Sequence, residues 1–352
     1  MTNKEENGNY NYSIAFMKFF FSFCVVLAHY WIPSDPDSYP SAVMIRMAAV
    51  AAPMFFIMSF YLSFDRFETA DYHIAKRLWR LYYPQIVWAF AYFGGYYALS
   101  CIFRDTGMII PDVVLYTKKD LLWQLLLGSD RYLCPQFWYQ SVLIIITVIT
   151  YTVYRLSGKH ALKIMAVIGI IALILQYSLI NFHLFARYEY EIWYPTGRIA
   201  ESLPFAVMGL LLCRSGILRI LKKHWITASL ISFSILTLLS YLFIIPRPKY
   251  GFDYDGIGLL LYGLFTFLIF GLIPFDKAPE FVKRVLRFLS KYSFGVFCIH
   301  LGIGRCWLLI LSGYYGMGAI TFVDSMIIYA VSLLLAWLIS FIPSKYARQA
   351  VT

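Results

Sequence analysis

Residues Ile14–Trp31 read IAFMKFFFSFCVVLAHYW, an apolar run with Lys18 near one end and His29 near the other. A helix crosses a bilayer with roughly 17–25 mostly apolar residues, so this stretch predicts a transmembrane helix. At about 100° and 1.5 Å per residue, Lys18 and His29 fall on one face, about 16 Å apart along the axis. Ionisable groups inside a membrane helix are costly and by default point to function. For the pair taken alone, a structural reading carries as much weight as a functional one: the lysine snorkels to the headgroups and the histidine closes a buried hydrogen bond.

The rest of the chain decides the setting. Its 352 residues are 61% hydrophobic and only 14% charged, with mean hydropathy +0.67. That composition excludes a soluble domain and fits a polytopic membrane protein. The net charge of +11 marks cytoplasmic loops rather than a nucleic-acid partner. The six cysteines form no CxxC and no Cys/His spacing of a metal site, so no metal is expected. The first apolar stretch has no small-residue cleavage site after it and reads as a retained helix.

Ten apolar runs follow one another: 14–31, 42–64, 78–103, 137–154, 161–182, 198–213, 225–245, 256–274, 292–311 and 320–342. The fold class is therefore an all-α membrane protein of about ten transmembrane helices. An even count places both termini on one side. Nineteen of the thirty Lys and Arg then fall on the side of the N-terminus and eight on the other, with Lys18, Arg46 and Arg305 inside helices. That bias predicts cytoplasmic N- and C-termini. Residues 1–352 read as a single integral-membrane domain with a polar tail at 1–11. A long extracytoplasmic loop is expected at 104–136, in which Asp120–Gly128 suggests a short interfacial helix. Cys101 and Cys134 flank this loop on the oxidising side; a disulfide and two separate thiols are equally open.

Several groups can carry chemistry. Histidine suits general-base work near neutral pH, and His29 can also receive an acyl group itself. Arg77 and Arg80 share a helix face at the expected inner mouth of the third helix, where paired guanidiniums suit phosphates; an ordinary positive-inside anchor explains them too. Trp138 can stack on a sugar or belong to an interfacial belt. Arg198 and Glu201, three residues apart in an apolar run, read as an ion pair or as acceptor contacts. His300 falls near the middle of the ninth run and is either structural or part of a site. His73, His160, His183 and His224 lie at loops or helix ends.

In this order the pieces resemble the acyltransferase-3 family of polytopic membrane acyltransferases, which modify cell-surface glycans and related acceptors. The family's basic residue, ten intervening residues and histidine stand here as Lys18-FFFSFCVVLA-His29, with Lys where many members have Arg. Its Arg-x-x-Arg stands as Arg77-Leu-Trp-Arg80, running into Leu-Tyr-Tyr-Pro84. Its Phe-Phe-x-x-Ser-Gly-Phe stands as Phe55-Phe56-Ile-Met-Ser59-Phe60-Tyr61, with Phe60 in place of the glycine. Trp138-Tyr139 and Ser293-Phe-Gly-Val-Phe-Cys-Ile-His300 are similar to two later family segments.

The resemblance implies an acyl-CoA donor, most often acetyl-CoA, as co-substrate rather than bound cofactor. It places the donor phosphates on Arg77 and Arg80, Lys18 beside the donor, and His29 at the acceptor hydroxyl. The acceptor, a cell-surface glycan or a lipid-linked sugar, would enter near Trp138, Arg198, Glu201 and His300. Residence in a bacterial plasma membrane follows from the same resemblance. Membrane lipids are then partners, and a homo-oligomer stays open. Two other classes compete: a multi-pass transporter, which predicts internal repeats not evident here, and a non-catalytic membrane module, which leaves Lys18, His29, Arg77 and Arg80 unexplained.

Overall fold

The computed structural model describes residues 10–31, 39–69, 72–103, 117–128, 134–181, 193–243, 256–315 and 320–352. Among them there is no strand. The helices are α1 (Tyr12–Tyr30), α2 (Tyr39–Ala49), α3 (Ala51–Tyr61), α4 (Phe64–Glu68), α5 (Ile74–Phe103), α6 (Lys118–Leu127), α7 (Trp138–Ser157), α8 (Ala161–Asn181), α9 (Trp193–Ser215), α10 (Ile217–Leu221), α11 (Trp225–Phe243), α12 (Gly256–Leu272), α13 (Glu280–Tyr315), α14 (Phe322–Ile339) and α15 (Lys345–Gln349). Each of the ten apolar runs is mainly helical over its described residues. Four stretches of the described residues are long and apolar enough to cross a membrane, or six if each of two bent helix pairs is one span. Most of the polar tail lies outside the described residues.

α1 sits at the centre, packed against α2, α3, α12, α13 and α14. Its start is fixed by Asn11, whose side chain accepts a hydrogen bond from the Ile14 amide at 3.1 Å, an ordinary N-cap. Met17, Phe21 and Val26 are fully buried. Hydroxyls tie the helix to its neighbours at three levels. Ser13 donates to the Ile273 carbonyl at 3.0 Å, Ser22 meets the Tyr329 hydroxyl at 3.2 Å, and Tyr30 donates to the Leu301 carbonyl at 2.9 Å. Lipid gives helices no hydrophobic reason to associate, so such bonds and close small-residue packing carry the assembly. Gly209 on α9 is one such contact: a methyl there would overlap the Ile57 carbonyl of α3.

The segment leading into α7, where a long loop is expected at 104–136, is described in part. Residues 104–116 and 129–133 lie outside the described residues. The described part packs against the middle of α5. Thr117 and Asp120 form a capping box that starts α6, and Gly128 ends it in the left-handed region at φ +59°. Tyr82 donates to the Leu125 carbonyl at 3.1 Å, and Gln85 donates to the Gln124 carbonyl at 3.0 Å. The Gln124 side chain in turn holds both the amide and the carbonyl of Cys134, at 3.0 and 3.2 Å. Gln136 donates to the Cys298 carbonyl at 3.2 Å, and Gln140 to the Leu81 carbonyl. α7 thus begins level with Leu81–Trp88 on α5, rather than at the C-terminal end of that helix.

Buried non-helical backbone is tolerated where protein surrounds it and pairs its polar groups. Gln85, Gln124, Gln136 and Gln140, each at most 1% exposed, supply that surrounding. Losing one such bond and leaving a buried amide group unpaired costs about 1–3 kcal/mol. Cys101 and Cys134 are separate thiols, the first exposed and the second buried.

Candidate active site

Lys18 and Arg77 come together. Both line a cavity of about 390 Å³, in company with Arg66 of α4 and Lys291 of α13. That volume is ordinary for a ligand pocket. Among its described lining residues there is no aspartate or glutamate. Arg77 donates to the Ser59 hydroxyl at 2.9 Å, so α3 orients one edge of its guanidinium. Its Nε is buried and has no hydrogen-bond partner among the described residues. Lys291 lies 5.1 Å from the centre of the Tyr292 ring. Arg80, one turn further along α5, is exposed and is not part of the cavity lining.

Aromatic and polar side chains of α3, α7 and α13 close the cavity. Phe55, Tyr139, Gln140, Phe294 and Phe297 all face it. Phe297 packs against Tyr139 at 5.7 Å between ring centres and against His300 at 6.3 Å. It therefore stands between the cationic cavity and a second group of residues.

That second group is a pair of histidines. The rings of His29 and His300 are 5.3 Å apart, tilted by 40°. His29 is exposed, whereas His300 is fully buried. Three features bring them side by side. The Tyr30 hydroxyl fastens the C-terminal end of α1 to α13 at Leu301. Gly304 leaves room for that approach, since a methyl there would overlap the Tyr30 ring. Tyr92 of α5 inserts into the α13 hydrogen-bond ladder: it donates to the Cys298 carbonyl at 2.8 Å and accepts from the Gly302 amide at 2.9 Å. A side chain inserted there loosens the helix locally, and His300 sits at the centre of the loosened turn. Arg305, one turn beyond, is hydrogen-bonded to the Tyr96 hydroxyl.

Trp138, Arg198 and Glu201 form a third cluster. Arg198 pairs with Glu201 at 2.9 Å, and its guanidinium lies 4.7 Å from the Trp138 ring centre. Trp138 adjoins Tyr139 at 6.4 Å, so this cluster connects to the histidines through Tyr139 and Phe297.

The structure thus joins Lys18 with Arg77, His29 with His300, and Trp138 with Arg198 and Glu201, and it leaves Arg80 apart. Reading the sequence missed Arg66 and Lys291, which resembled ordinary inner-loop cations. It also missed Phe297 and the buried glutamines. The one signal for the glutamines was their place inside or beside apolar runs.

The family model of the acyltransferase domain, type 3, matches residues 11–342, nearly the whole chain. The chain belongs to the acyltransferase-3 family. No curated protein and no solved structure shows significant similarity to it. Family membership and apolar helices together make it a membrane acyltransferase.

Proposed function

We propose that this acyltransferase moves an acetyl group from cytoplasmic acetyl-CoA to a hydroxyl of an extracytoplasmic or lipid-linked sugar at a bacterial plasma membrane. The observation that carries the reading is the cavity in which Lys18, Arg66, Arg77 and Lys291 converge without a facing aspartate or glutamate. Such a site suits a ligand with several phosphates, and guanidiniums bind phosphates through paired donors. In this reading ten crossings with both termini inside put the cavity on the cytoplasmic side. Arg77 holds a donor phosphate, Lys18 balances charge beside it, and Arg80 adds to the field from outside the cavity. Phe297 and Tyr139 border the path by which the thioester reaches His29.

His29 then works as general base. Its free nitrogen takes the proton of the acceptor hydroxyl while the oxygen attacks the thioester carbon, which must lie within about 3–3.5 Å. The new C–O bond forms, the C–S bond breaks, and the departing thiolate recovers the proton from the imidazolium. Trp138, Arg198 and Glu201 serve the acceptor, the ion pair offering donors and acceptors to sugar hydroxyls.

The test is transfer of label from acetyl-CoA in proteoliposomes, with His29→Ala beside the parent chain. Release of CoA that disappears with His29→Ala is expected. Unchanged release, or a folded parent that does not bind acetyl-CoA, overturns the reading and turns attention to solute flux.

A further inference from the structure

We infer that His300 is a positioning residue for His29, fixing which of its two nitrogens acts as the base. The inference rests on the proposed role of His29. It begins from hydrogen-bond chemistry at His300. Its Nδ1 lies 3.1 Å from the Val296 carbonyl and 2.9 Å from the Phe297 carbonyl. Carbonyl oxygens only accept, so Nδ1 carries the proton. In a neutral ring Nε2 is then a bare lone pair, an acceptor and not a donor. That atom is buried and has no hydrogen-bond partner among the described residues.

A buried acceptor needs a donor, and the His29 ring lies beside it. Two imidazoles that share one N–H···N bond of about 3 Å have ring centres about 5 Å apart; the observed separation is 5.3 Å. His29 is exposed and needs only to turn its ring to donate. Hydrogen bonds at such sites often tighten only once substrate is bound.

The consequence for chemistry is direct. With one His29 N–H given to His300, the other His29 nitrogen holds the free lone pair. That nitrogen takes the hydroxyl proton as the C–O bond forms, and returns it to the thiolate after the C–S bond breaks. In between, His29 is a cation with both nitrogens protonated. His300 Nε2 stabilises that cation by accepting the N–H it already faces, and never changes its own protonation. Among the described residues, Arg305, held by Tyr96, and the Tyr30 hydroxyl, held by Leu301, are ionisable groups beside the pair. The first is engaged by α5 and the second by α13.

Two substitutions separate positioning from mere support. His300→Asn keeps an N–H donor for the two carbonyls but offers nothing at the Nε2 position. His300→Gln reaches that position with an acceptor oxygen. In proteoliposomes, His300→Asn is expected to lower kcat about 10–100-fold, the usual effect of removing a histidine's second partner. Its KM for acetyl-CoA should stay within about twofold, because the donor cavity is untouched. His300→Gln is expected to keep several-fold more activity than His300→Asn. A purely structural role predicts the opposite order, and that order overturns the inference, as does full activity in His300→Asn.

A second measurement reads the pairing itself and does not depend on the His300 variants. In ¹⁵N-histidine NMR, one neutral imidazole protonated at Nδ1 should shift its Nε2 resonance when His29 is changed to Ala; no shift overturns the pairing. If His29→Ala retains full transfer, the proposed function fails. If His29→Ala is inactive while His300→Asn matches the parent, only the pairing fails.

Discussion

The cationic cavity and the histidine pair are built on opposite principles. The cavity gathers cations from α1, α4, α5 and α13, and two of the four, Arg66 and Lys291, are exposed. In the proposed function its job is to present charge, and charge acts over several ångströms without fine alignment. The histidine pair depends on contact. Tyr30, Gly304 and the Tyr92 insertion all set where two rings meet. A site that needs field can be assembled from replaceable parts; a site that needs a hydrogen bond in one tautomer cannot. Substitutions in the cavity should therefore appear in donor KM, and those around the histidines in kcat.

The largest effect is expected at His29. Removing a general base costs about 10²–10⁴-fold, so His29→Ala should lose that much kcat while acetyl-CoA binding, measured by calorimetry or filter binding, persists. Loss of donor binding instead would mean that the two regions are not separable.

Arg77→Ala comes next and should show the opposite pattern. A charge-assisted hydrogen bond contributes about 1.5–3 kcal/mol, which is roughly a 10–100-fold rise in donor KM. Arg77 is the cavity cation already oriented, by Ser59 at 2.9 Å. A fall in kcat at unchanged KM would move Arg77 from binding to chemistry.

Gly304→Ala probes the contact side without touching either histidine. The added methyl meets the Tyr30 ring, and overpacking of this kind costs about 1–3 kcal/mol. The expected result is a lower melting temperature and reduced kcat with donor KM unchanged. Full activity at unchanged stability would show that the approach of α1 to α13 is looser than the Tyr30–Leu301 bond implies.

How much of this was readable from the chain follows the same division. Apolar runs announce helices, and all ten are present. Their ends were less readable where charge intrudes. The first part of α13, from Glu280 to Lys291, is helical but polar on one face, so hydropathy begins that helix at Tyr292. The packing of α6 and the start of α7 against α5 was not readable, because it depends on glutamines that bond backbone far away in sequence. Motif spacing within one helix placed Lys18 and His29 on one face. That His29 meets His300, and that Arg66 and Lys291 join Arg77, are facts of tertiary packing with no local signature.

Arg80 gives the finest resolution of the comparison. It is three residues from Arg77 and chemically identical to it, and the family resemblance implies that both hold phosphate. In the structure only Arg77 reaches the cavity, and Arg80 is exposed. An exposed charge acts through a screened field worth at most about 1 kcal/mol, which is roughly fivefold. Arg80→Ala should therefore raise donor KM by about fivefold or less, and the effect should shrink as salt shortens the Debye length from about 10 Å at 0.1 M to about 3 Å at 1 M. The Arg77→Ala effect should persist over the same range, because its contact is half-buried. Equal, salt-resistant losses at both positions would show that the donor draws Arg80 into contact, and that the cavity closes around its ligand.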